Sequence, residues 1–126
     1  MREALDRALA GVATIAGPDD AVEAVIARLR NAPDPAVLVI LPEVSPLARA
    51  MLRAAIAPLA AERAPATRIG AVEIAGGSDP SDVIAAVQFL ANAASTTGQV
   101  LAVAPPAPSP YAGGRPQDPS DSSTKR

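Results

Sequence analysis

Two glutamates offer the most obvious chemistry in this chain. Glu43 and Glu73 each stand near the end of an apolar run that has the character of a strand. Ligands of open α/β sheets bind outside those ends, and a pair of carboxylates there could support acid/base work. No third group or cofactor motif accompanies them. Ser45 and Arg49 follow in the first turns of the next helix. Ser45 precedes Pro46, a spacing that suits an N-cap with proline at the first helical position. Arg49 and Arg53 are expected on the solvated face. Asp19, Asp20, Asp79 and Asp82 stand where helices begin, and interaction with the helix dipole explains them sufficiently.

Composition removes other chemistries. The 126 residues include no His and no Cys. A zinc site of the usual kind, a Ser-His-Asp or Cys-His mechanism, and a disulfide framework are therefore excluded. With no Trp, one Phe and one Tyr, no stacking surface for RNA is available. A net charge of −2 leaves no electrostatic footprint for nucleic acid. The hydrophobic fraction of 49% is inflated by thirty alanines, so the core must be built from few large residues. High Ala and Arg with a single Lys suggests a GC-rich bacterial genome.

The elements that must position these residues alternate. Leu5 and Leu9 share one face of a short first helix. Gly17-Pro18-Asp19-Asp20 has the form of a helix start, and Val22, Val25, Ile26 and Leu29 continue as an amphipathic stripe. Asn31-Ala32-Pro33-Asp34-Pro35 ends it. Val37 to Leu41 is apolar at every position, as in a strand covered on both faces. A helix from Ser45 carries Leu47, Met51, Leu52, Ile56 and Leu59 inward, with Pro58 expected to kink it. Ile69 to Ile74 is a second strand. Gly76-Gly77-Ser78-Asp79-Pro80 leads into another helix, with Val83, Ile84, Val87 and Leu90 buried. Val100 to Val103 is the third strand. The expectation is an α/β domain over 1–104, a partial Rossmann-like three-layer unit with a small, about three-stranded, parallel sheet. Residues 105–126, rich in Pro, Ser, Gly and Asp, are expected to be a disordered tail. The pair Gly76-Gly77 is read as a helix-entry turn and Gly113-Gly114 as an element of the tail, and neither is expected to cradle a phosphate.

The stretch Asp79 to Val103, ending on Thr97-Gly98-Gln99-Val100, resembles the closing helix and last strand of short-chain dehydrogenases/reductases. Leu59-Ala60-Ala61-Glu62-Arg63-Ala64-Pro65, followed by Arg68-Ile69-Gly70-Ala71-Val72, is similar to an upstream segment of the same family. The resemblance covers 37–103, and 1–36 weakly, and corresponds to the second half of that fold. It implies an NAD- or NADP-dependent oxidoreductase ancestry. It also implies that Ser45 stands at the family's Tyr and Arg49 at its Lys, with Val12 at its Asn. A serine beside a guanidinium does not titrate near neutrality as the family's Tyr-Lys pair does. The glycine-rich cofactor turn has no counterpart.

The expected function is therefore a truncated, catalytically degenerate relative: an interaction or regulatory subunit with no catalytic residues, no metal and no cofactor of its own. An oxidoreductase subunit that works only with a full-length partner is the alternative, and a stand-alone α/β binding domain a third. If the family's strand order holds, Val37–Leu41 is an edge strand, which invites pairing with another chain; a reordered sheet would instead place it centrally. Self-association, or docking on a full-length family member, is expected through helices 18–30 and 46–63. The N-terminus lacks the layout of a signal peptide, and the apolar run Ala36 to Leu41 is too short to span a bilayer, so a cytoplasmic protein is expected.

Overall fold

A computed structural model describes residues 1–93 and 97–105. The expected tail therefore lies outside the described residues except for Pro105. Four strands, β1 (Ala13–Ala16), β2 (Ala36–Ile40), β3 (Ile69–Ile74) and β4 (Val100–Val103), alternate with helices α2 (Val22–Arg30), α3 (Pro46–Arg63) and α4 (Pro80–Asn92), after a first helix α1 (Arg2–Ala8). All neighbouring strands are parallel, in the order β1-β2-β3-β4.

The sheet thus has one strand more than expected. β1 is only Ala-Thr-Ile-Ala, four residues between Gly11 and Gly17, too short and too small to stand out by pattern. Its presence corrects the expectation for β2. Val37 pairs with Ala13 on one side and Gly70 on the other, so β2 is an inner strand and offers no open edge. Its full burial follows from helices on both faces.

Helices α2 and α3 pack together on one face, and α1 and α4 on the other. Residue parity along β3 proves the division. Glu73 points to α3, where Arg53 Nη1 donates to its Oε1 at 2.9 Å. Gly70, of opposite parity, faces α4: a Cβ there would lie 3.3 Å from Leu90 Cδ1. A bare backbone at this position lets α4 settle close to the sheet. Every step between strands goes the same way across the sheet, yet α3 and α4 lie on opposite faces. The crossovers through α3 and α4 therefore have opposite hands, so the fold contains a departure from the strong right-handed default.

Local signals were obeyed unevenly. Ser45 caps α3 by accepting from the Ala48 N–H at 3.2 Å, and Pro46 is the first helical residue. The helix continues through Pro58. The second helix starts later than expected, at Val22 rather than at Pro18, because Asp20 turns back to accept from the Gly17 N–H at 2.8 Å. The core centres on β2 and β3 with Val25, Leu29, Leu52, Ile56, Val83 and Val87. Leu47 and Met51, expected inside, are 72% and 50% exposed. These positions give a sharp stability contrast. Ile40→Ala should cost about 2–5 kcal/mol, whereas Leu47→Ala should stay within about 0.5 kcal/mol of the parent; urea denaturation followed by circular dichroism measures both.

Candidate functional site

Parallel strands that end together point their last carbonyls into a common space. Here that space is a cleft of 290 Å³ at the C-terminal ends of β3 and β4, bordered by Pro42, Arg49, Glu73, Gly76 and Ala104 among others. The N-cap at Ser45 directs the first turn of α3 over it. Arg49, one turn along, enters with its side chain only 19% exposed. Its Nη2 donates to the carbonyls of Leu41, Pro42 and Val44 at 3.2, 2.8 and 3.3 Å. Its Nη1 donates to Ile74 O at 3.2 Å and to Glu73 Oε2 at 3.4 Å. One planar fork thus ties the end of β2 to the end of β3. The expectation of a solvated Arg49 is overturned; the carbonyls it satisfies do not register in a sequence pattern.

Glu73 is 16% exposed and shared by two guanidiniums, Arg49 and Arg53. Arg53 contacts both of its carboxylate oxygens, at 2.9 and 3.1 Å. The paired spacing of Arg49 and Arg53, one helical turn apart before a strand with Glu73 next to its end, is the available signal for this cluster. Glu43 is exposed in the turn after β2 and does not line the cleft, so the two glutamates do not form an acid/base pair across it. Ser45 is spent as an N-cap. Val12 precedes β1 and its carbonyl accepts from the Val37 N–H, which puts it at the opposite end of the sheet from the cleft.

The loops at this edge are filled by the chain's own groups. After β1, the Asp20 carboxylate accepts from the Gly17 N–H and meets Arg2 and Arg28 at 3.4 and 3.9 Å. That N–H, with the two guanidiniums beside it, holds Asp20 below the usual carboxylate range against the opposing effect of burial. After β3, Asp79 caps α4 by accepting from the Ser81 N–H at 2.9 Å, which lowers its pKa. At the far end of the sheet, the Arg68 N–H and guanidinium hold Asp34 low in the same way. Among the described residues, no group of three or more acidic side chains is placed to hold a metal ion, and no helix is long and apolar enough to cross a membrane.

A family model described as short-chain dehydrogenase-like protein matches residues 3–103. The chain belongs to that short-chain dehydrogenase-like family. The match takes in β1 and α2, where the sequence resemblance was weak, and ends with β4. No curated protein matches the chain, and no solved structure does. In this short-chain dehydrogenase-like protein the four-stranded parallel sheet between two helical layers is a Rossmann-like α/β arrangement. The residues aligned by resemblance with the family's Tyr and Lys, Ser45 and Arg49, do lie side by side at the strand ends, but as a helix cap and a clamp on carbonyls.

Two outcomes follow. Arg49→Ala leaves part-buried carbonyls and one side of Glu73 without a donor, and should destabilise the fold by about 3–5 kcal/mol. Arg53→Ala, at a half-exposed position, should cost about 1 kcal/mol or less. Arg49→Lys should not restore the parent value, since an ammonium cannot reproduce the fork; guanidinium denaturation tests all three. For Asp20, the folded-state pKa lies below the unfolded one, so its contribution is complete above the ordinary carboxylate pKa and fades as pH falls through the lowered value. Asp20→Asn should therefore be less stable than the parent near neutrality, with the gap narrowing as pH falls below the ordinary carboxylate range, as read from thermal unfolding across pH.

Proposed function

We propose that this chain is a non-catalytic member of the short-chain dehydrogenase-like family that acts through association, as an interaction or regulatory subunit, and binds neither NAD nor NADP alone. The observation that carries the reading is Arg49. The guanidinium aligned with the family's Lys is committed to four carbonyls and a carboxylate, and a group so held is not free to tune a proton donor. The neighbouring Ser45 hydroxyl accepts a backbone N–H.

The residues also do not fit a dinucleotide. Pyrophosphate binding in such sheets uses bare backbone N–H groups in the turn between a strand and a helix. After β1 the Gly17 N–H is already taken by Asp20, whose carboxylate repels a phosphate. The cleft, at 290 Å³, falls just below the range for small-molecule sites, about 300–1,000 Å³.

The second reading is an oxidoreductase subunit that takes its cofactor and catalytic groups from a full-length family member. The cleft, walled by Ile74, Val103 and Ala104 on one side and by Arg49 on the other, favours it to the extent that a partner's residues could complete an open pocket. In either reading the expected contact surfaces are α2 and α3, and the expected compartment is the cytoplasm.

Titration of the purified chain with NADH and NADPH, followed by fluorescence enhancement and calorimetry, should give no saturable binding below about 1 mM. Sub-millimolar binding of either nucleotide would overturn the proposal. Adding the chain to a co-expressed full-length family member and finding NAD(P)H oxidation that neither shows alone would favour the second reading.

A further inference from the structure

The described chain ends on the rim of the cleft. Val103 and Ala104 border it on the β4 side, Ile74 and Ala75 on the β3 side, and Pro42 on the β2 side. Ala75 and Ala104 are exposed. Pro105 then lies beside the turn after β3: a Cβ on Gly77 would sit 3.7 Å from its Cγ. The chain is therefore still next to the cleft where residues 106–126 begin. The two charged groups of the cleft, Arg49 and Glu73, contact each other at 3.4 Å. What remains to be covered is apolar and suits a neutral occupant.

The residues that follow the rim have that character. Pro105-Pro106-Ala107-Pro108-Ser109-Pro110-Tyr111 carries no charge. Its prolines have no backbone N–H, so covering them leaves few donors to satisfy. Such a sequence favours the polyproline II helix, which is extended, has no internal hydrogen bonds and loses little entropy on docking. Its reach also fits. Three residues of that helix advance about 9 Å, and the ends of β4 and β2 are two strand spacings apart, about 10 Å. A segment that starts at Pro105 and crosses the end of β3 brings Pro108 to Pro42.

We propose that residues 106–110 lie across the strand ends as a strap over the cleft, with Pro108 against Pro42. The occupant of the cleft is then the chain's own segment. Attachment at the rim gives that segment an effective concentration of about millimolar, which a free peptide or a second copy must exceed to displace it. This inference rests on the reading that the cleft holds no nucleotide.

Nitrogen-15 relaxation on the full chain tests the proposal. The Ala107 and Ser109 amides should show order parameters of about 0.85, the value of rigid backbone, and values below about 0.6 would overturn it. Pro108→Asp changes no residue of the hydrophobic core and sets a charge against the apolar cleft. It should bring both amides below about 0.6 and shift the amide resonances of Ile74, Ala75 and Val103, while those of α1 and α2 stay in place. Unmoved resonances at the cleft, or order that persists in Pro108→Asp, would sink the proposal. Order that appears only as protein concentration rises would assign the cleft to the segment of a second copy instead. Saturable NADPH binding seen only in Pro108→Asp would leave the strap standing and overturn the nucleotide-free reading. Low order parameters in the parent, with no NADPH binding to either form, would overturn the strap alone.

Discussion

The structure depends on how the ends of parallel strands are satisfied. Strands that run the same way and stop together gather acceptors in one place, and buried acceptors without donors are costly. Arg49 supplies the donors. Its guanidinium joins the chain after β2 to the end of β3, and in doing so it fixes the rotation of α3 about its axis. With Arg49 turned to the sheet, Leu52, Ile56 and Leu59 must face the core, and Leu47 and Met51 must face away. Arg63, on the same side of the helix and four turns on, does a related job at the opposite end, donating to Ala32 O at 3.3 Å and to the buried Thr67 hydroxyl at 2.7 Å. The helix is held at both ends by inward-pointing guanidiniums and in the middle by aliphatic packing.

Much of this fold was legible in the sequence, and the failures share a cause. The unbroken apolar run at β2, the capping signal at Ser45-Pro46 and the turn at Gly76 to Pro80 each carry a strong local preference, and each element lies where that preference puts it. The expectation omits β1 because four residues with a single large hydrophobe, Ile15, have almost no pattern. The inside of α3 was misjudged because the helix carries two apolar stripes, and hydropathy alone cannot choose between them. Arginines are the least informative residues for that choice. A long stem with a charged head is at home in solvent or against a sheet end, and only the arrangement of carbonyls decides. The site was therefore half visible: its glutamate and the cap could be named, but the clamp could not.

The likeness to short-chain dehydrogenases was carried by elements rather than by chemistry. Closing helix, last strand and the turn between them kept their sequence character. At the strand ends this chain places Arg49, Arg53 and Glu73, groups that bind one another and nearby carbonyls. A Lys-to-Arg difference is small by charge and large by geometry, because a planar fork can engage several carbonyls at once where an ammonium acts as a point.

The strand order has a consequence of a different kind. Because β1 to β4 lie in the sheet as they lie in the chain, every pairing joins segments separated by a single helix. No strand must wait for a distant one to arrive, as it must in sheets whose order doubles back. The entropy of closing each loop stays moderate, and contacts remain comparatively local for a parallel sheet. The molecule is built like a ladder that can be assembled rung by rung from either end, which suits a chain with so little large apolar surface to drive a concerted collapse.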